Sequence, residues 1–240
     1  MICEMANNGL SVRLRVSGDF ACFTRPENKV ERMSYEVATP SAARNILDAI
    51  CWRPQMRWII TKIRVLKPIR YQSIRRNELQ SKLSGGAVRG WMAAPDTFEP
   101  ILAGAGADTD ATPRNSLVLR DVAYLIDAYP RVYDPNGEDK PIKYVEMFNR
   151  RVTKGQCFSQ PFLGCREFPA RFEHPAAEDQ PIPISLEIGN MLYDIIFREK
   201  ENQAVFFKAK LENGILDVDP FNVIADAARR EELLACSSKP

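Results

Sequence analysis

A chain of 240 residues, 45% hydrophobic and 27% charged, has enough apolar surface to bury a core in one large domain or two small ones, which excludes global disorder. No apolar run approaches the length of a membrane span, and the start, MICEMANNGL, lacks the basic segment and apolar core of a secretory signal, so a cytoplasmic protein with no membrane partner is expected. The net charge of +2 hides an asymmetry: residues 1–90 carry 16 Lys/Arg against 7 Asp/Glu, and residues 91–240 carry 17 against 24, which points to a polyanion on the first half unless folding mixes the charges.

Along the chain, LSVRLRVSGDFACF (10–23) alternates Val12, Leu14 and Val16 with Arg13 and Arg15, the pattern of a half-buried strand with a cationic open face. The loop that follows mixes Phe20, Phe23 and Tyr35 with Arg25, Lys29 and Arg32. Thr39 as N-cap and Pro40 at the first helical position start a helix carrying Ala42, Ile46, Ala49 and Ile50. MRWIITKIRVLKPIR (56–70) reads as a strand stopped at Pro68. Residues 79–113, rich in Gly, Ala and Pro without periodicity, read as a mobile insertion; Gly104 and Gly106 sit in no strand-to-helix context, and Asp108 and Asp110 read as loop solubilisers.

SLVLRDVAYLIDAYPRVY (116–133) is a further strand and residues 140–155 a second amphipathic helix, followed by a strand in FLGCREFPARFEH (162–174). The order β, α, β, insertion, β, α, β fits an α+β, ferredoxin-like (RRM-like) sheet with two helices on one face, an architecture whose open face commonly serves nucleic acids. Two more strands with turns at Lys200–Asn202 and Asn213–Gly214, then a short terminal helix, complete the chain. Six scattered cysteines with no C-x-x-C, and His174 as the one histidine, in an acidic surface loop, give no zinc pattern; reduced thiols, no metal and no cofactor are expected.

Five stretches together resemble a known family: GDFACFTRPENKVERMSYEVATPSAARNIL (18–47), CWRPQMRWIITKIRVLKPIR (51–70), IRRNE (74–78), RRVTKGQCFSQPFLGCREFPARF (150–172) and FFKAKLENG (206–214). They are similar to the fifth Cas family in its d subgroup, the subtype I-C (Dvulg type) CRISPR repeat-RNA endoribonuclease and Cascade subunit. The resemblance implies a RAMP-superfamily ferredoxin-like RNA-binding domain over 8–175 with its insertion at 79–113, and a C-terminal antiparallel β extension with a short helix over 176–240. It implies cleavage of the repeat hairpin without a metal ion, retention on the 5′ handle, and the backbone and large subunits of type I-C Cascade as partners.

The family's catalytic pattern is a Tyr, in some members His, after the first helix and a Lys-His pair at the start of the second. Carried over, these positions are Cys51, Lys143 and Tyr144. A neutral tyrosine is a poor base but can orient a 2′-hydroxyl, Lys143 can meet phosphorane charge, and Cys51 past a helix C-terminus reads as packing. Lys143 and Tyr144 as an ordinary helix start remains open. The expected phosphate-gripping cations are Arg13, Arg15, Arg25, Lys29, Arg32, Arg75, Arg76, Arg150 and Arg151, with Phe20, Phe23 and Tyr35 as stacking surfaces. Gly155 and Gly164 would let backbone approach RNA, or simply turn the chain. A non-catalytic RNA-binding scaffold, and a subunit that binds duplex DNA, are the alternative readings.

Overall fold

Alternation in the first segment builds strand β1 (Val12–Ala21), with Val12, Leu14 and Val16 buried and the Arg13 and Arg15 side of the strand more open. The computed structural model describes residues 10–28, 30–79, 81–98, 110–134, 139–198 and 202–235. Helix α1 (Pro40–Ile50) starts as expected: Thr39 Oγ1 accepts from the Ala42 N–H at 3.2 Å and Pro40 occupies the first turn. Its buried stripe is Ala43, Ile46, Leu47 and Ile50, which packs on β2 (Met56–Val65).

Strand β3 (Tyr71–Leu79) was not expected, and it pairs with the first half of β4 (Ala111–Val132). Strand β4 changes partners halfway: Ala111–Leu119 faces β3, while Leu119–Val132 lies between β1 and β2. Asp121, at φ 51, marks the switch. Between β3 and β4 the supposedly aperiodic insertion contains helix α2 (Gly85–Ala93), capped by Ser84, and a 3₁₀ turn at Pro95–Thr97; none of their residues is buried. Gly104, Gly106 and Asp108 lie outside the described residues.

Helix α3 (Pro141–Thr153) buries Tyr144, Val145, Phe148 and Val152, and Phe148 meets Trp58 of β2 edge-on at 5.0 Å. The stretch read as a fourth full strand forms only the three-residue β5 (Arg171–Glu173) on the edge of β1, because glycine and proline hold residues 161–169 in turns. Strands β6 (Leu186–Ile196), β7 (Gln203–Glu212) and β8 (Ile215–Asp217) follow, the last two joined by Asn213 and Gly214, both at positive φ. The expected turn at Lys200–Asn202 falls largely outside the described residues. Helices α4 (Pro220–Val223) and α5 (Ala227–Ala235) replace the single terminal helix.

Among the described residues the named strands pair antiparallel throughout, and the order β5-β1-β4-β2-β8-β7-β6 makes one continuous sheet. The result is a mixed α/β protein on a curled antiparallel sheet. Among the described residues no helix is long and apolar enough to cross a membrane.

Candidate active site

Successive residues on a helix point about 100° apart, so two neighbours at a helix start cannot both face the core. Lys143 takes the solvent side, with 57% of its side chain exposed, and Tyr144 the core side, with 1%. Asp139, one turn earlier, joins them: its Oδ1 accepts from Lys143 Nζ at 2.6 Å, and its carboxylate also accepts from the Tyr144 hydroxyl. Lys143 Nζ sits 5.7 Å from the centre of the Tyr144 ring. The hydrogen bond from Lys143, then that from Tyr144, holds the Asp139 carboxyl below its usual range. Burial first, and then the Asp139 carboxylate, pushes Tyr144 up to about 12. At neutral pH Tyr144 is an uncharged core residue that bonds Asp139, and Lys143 is the exposed cation of the group.

Cys51 closes α1, donating its N–H to Leu47 O at 2.8 Å and accepting Trp58 Nε1–H on its carbonyl at 2.8 Å. It is fully buried, and burial pushes its thiol up. Its side chain serves as packing at the end of α1. Arg151 donates to Ile50 O at the same helix end, where carbonyls collect negative potential. His174 is exposed and bonds Thr153 Oγ1 at 2.9 Å, at the opposite end of α3 from Lys143. Among the described residues no group of three or more His, Cys, Asp and Glu could hold a metal ion.

Most of the residues expected to grip RNA have partners within the protein. Phe23 and Tyr35 are core residues rather than stacking surfaces: Phe23 meets Tyr124 edge-on, and the Tyr35 hydroxyl accepts from Leu192 N–H at 3.3 Å. Phe20 is half-buried against Phe168. Arg13 bonds Asp127 at 2.5 Å, and Arg15 bonds Asp179 at 2.9 Å as well as Glu173. Arg25 holds both oxygens of Glu36, at 2.9 and 2.8 Å, and lies 4.4 Å over the Tyr35 ring. Arg32 reaches Glu167 and the Cys165 sulfur, both at 3.4 Å, and Arg76 bonds Glu167 and Glu78.

Arg75 and Arg150 are exposed and have no ion-pair partner among the described residues; Lys29 lies outside them. Both glycines answer to the chain itself. Gly155, at φ +61, terminates α3, with its N–H on Val152 O and the Gln156 N–H on Arg151 O. A Cβ on Gly164 would lie 2.1 Å from Cys22 O, so that glycine is there for packing. Sequence reasoning missed Asp139, although an acid four residues before Lys143 on a helix start is a readable pair. It also missed a cleft of about 620 Å³ on the sheet, where Arg13, Lys62 and Arg64 are balanced by Asp127, Asp217 and Asp219.

Residues 11–219 match the family described as CRISPR-associated protein (Cas_Cas5), group Cas5d. The chain is 48% identical over 229 residues to a protein of Mannheimia succiniciproducens named CRISPR pre-crRNA endoribonuclease Cas5d, covering 90% of this chain and 97% of that one. It is 36% identical over 239 residues to the Thermus thermophilus protein of the same name, covering 92% and 96%. A solved structure titled a CRISPR-associated protein superposes with a TM-score of 0.59 at 24% identity, over 86% of this chain and 90% of that one.

Proposed function

The chain belongs to the Cas5d family of CRISPR-associated proteins, and on that premise we propose that it is a pre-crRNA endoribonuclease. It cleaves the repeat hairpin of precursor RNA without a metal ion and stays on the 5′ handle beside the backbone and large subunits of type I-C Cascade. The observation that carries this reading is the 48% identity, over 90% of the chain, to a protein bearing that activity in its name. Residues 8–175 form the RNA-binding unit and 176–240 its β extension. The succession β1–α1–β2 and β4–α3–β5 around one sheet supports a ferredoxin-like core.

The 2′-hydroxyl next to the scissile phosphate attacks phosphorus, and the 5′-oxygen leaves. Lys143 supplies the cation for the phosphorane. Its ammonium has three N–H donors, one taken by Asp139, which leaves two for phosphate oxygens. Asp139 aims Lys143 and is too acidic to act as a strong base. Tyr144 holds Asp139 from inside the core and acts by positioning. With no imidazole at the head of α3, solvent base takes the 2′ proton, and turnover is slow.

The second reading, a non-catalytic RNA scaffold, draws on the burial of Tyr144 and Cys51. Incubating the purified protein with its cognate repeat RNA in EDTA separates the two: a single cut leaving a 2′,3′-cyclic phosphate supports the nuclease. Hairpin binding without cutting supports the scaffold, and cutting only with added divalent ions overturns the metal-free mechanism. Competition by duplex DNA across a salt series tests the DNA-binding alternative.

A further inference from the structure

Two cysteines 143 residues apart meet where β1 ends. The Cys22 N–H donates to Leu163 O at 3.0 Å, and Gly164 packs directly on the Cys22 carbonyl, so the two backbones are locked together. The Cys165 thiol lies 3.6 Å from Cys22 O, close enough to donate to it, and both cysteines line one small cleft. Arg32 Nη1 donates to Cys165 Sγ at 3.4 Å, Arg76 of β3 lines the same small cleft, and Thr24 Oγ1 is 3.6 Å from Cys22 Sγ. We propose that Cys165 is a thiolate reactive toward hydrogen peroxide and that Cys22 is its resolving partner, so that oxidation closes a Cys22–Cys165 disulfide.

The surroundings supply what this chemistry needs. The neighbouring Cys22 thiol, and then Arg32, hold the Cys165 thiol below the ordinary thiol range against the opposing effects of burial and of Glu167. Cys165 and burial together push Cys22 far above the ordinary thiol range, which keeps it protonated while Cys165 is ionised. Arg76 also faces the pair, and its charge is shared with Glu78 and Glu167.

The Cys165 thiolate attacks one peroxide oxygen, the O–O bond breaks, and the departing hydroxide takes a proton to become water. Cys165 is left as a sulfenic acid. With that negative charge gone, Cys22 ionises and attacks the Cys165 sulfur, and the second oxygen leaves as water. The two thiols lose two electrons and the peroxide is reduced to two waters.

The test is brief treatment of the full-length protein with hydrogen peroxide at pH 7, followed by non-reducing peptide mapping. A Cys22–Cys165 link should form while the exposed Cys157 stays reduced, with Cys165 the faster of the two to react. Cys22→Ser should stop at a sulfenic acid on Cys165 that dimedone traps. Arg32→Gln, which leaves both thiols in place, should slow Cys165 oxidation about tenfold at pH 7. Oxidation of Cys157 before Cys165, or a Cys165 rate indifferent to Arg32→Gln, overturns the assignment.

Discussion

Lys143, Tyr144 and Asp139 divide the work at the head of α3 by where each side chain ends. Lys143 is the group free to touch RNA, so Lys143→Ala should lower cleavage in EDTA by about 10²-fold or more, the usual cost of removing a charge-stabilising donor, while hairpin affinity changes far less. Tyr144→Phe removes only an anchor of Asp139 and should cost a few-fold in rate. Equal cutting by Lys143→Ala and the parent would place the active site elsewhere. The ion pair also has a pH window. Asp139 is depressed when folded, so its contribution is present above the ordinary carboxylate value and is lost as pH falls through the folded one. Tyr144 is raised to about 12, so its contribution is complete below the ordinary phenol value near 10 and is lost as pH climbs past it. Thermal melts of the parent and of Asp139→Asn should therefore differ between roughly pH 4 and 10 and converge below pH 4. A difference that persists into strong acid would mean that Asp139 does not carry it. The sequence showed the lysine plainly. It also showed Tyr144 on the apolar stripe with Phe148 and Val152, and that stripe is why the hydroxyl faces Asp139 and not solvent.

At the scale of elements, what was legible followed burial. Strand β1, helices α1 and α3 and the apolar part of β4 have one face in the core and were read correctly. Strand β3 exposes most of both faces, so YQSIRRNEL carries no apolar alternation to read. Helix α2 has three glycines in nine residues and buries nothing, so its composition argues against the helix the chain forms. We infer that residues 81–98 open readily: among the described residues, limited trypsin digestion should cut first at Lys82 or Arg89, and bound repeat RNA should slow that cut. First cuts inside β1 or α3 would contradict this. Distant elements are held together differently. Asp194 of β6 accepts from Arg44 of α1 at 3.1 Å and from Arg57 of β2 at 2.6 Å, with Asp194 and Arg57 almost fully buried. Asp194→Ala removes the buried carboxylate that Arg44 and Arg57 share, leaving Arg44 on Asp48, and should cost about 3 kcal/mol, read as a lower denaturant midpoint at unchanged slope. A loss under about 0.5 kcal/mol would mean that β6 is held by its apolar contacts alone.

Over the whole molecule, the basic half and the acidic half of the sequence are not separate surfaces. Asp127 pairs Arg13 and Arg64, Glu167 pairs Arg32 and Arg76, Asp194 pairs Arg44 and Arg57, and Asp179 and Glu173 hold Arg15. Charge counted along the chain could not show this, because strand order brings β4 and β5 beside β1 and β2, and β6 packs against α1. The cations left for a polyanion are fewer, Arg75 on the β3 arm and Arg150 on α3 among them. Charge reversal therefore separates two groups of arginines. Arg75→Glu and Arg150→Glu should each weaken repeat-RNA binding, reduce the slope of log affinity against log salt by about one, and leave the melting temperature unchanged. Arg25→Glu removes a bidentate bond to Glu36 and a cation over Tyr35 and sets two carboxylates together, so it should cost about 2 kcal/mol of stability whether or not RNA is present. Unchanged stability in Arg25→Glu would show that the loop does not depend on that pair. Unchanged salt slopes in both Arg75→Glu and Arg150→Glu would move the RNA path off these two arginines and onto residues that now sit in ion pairs, which RNA would first have to break.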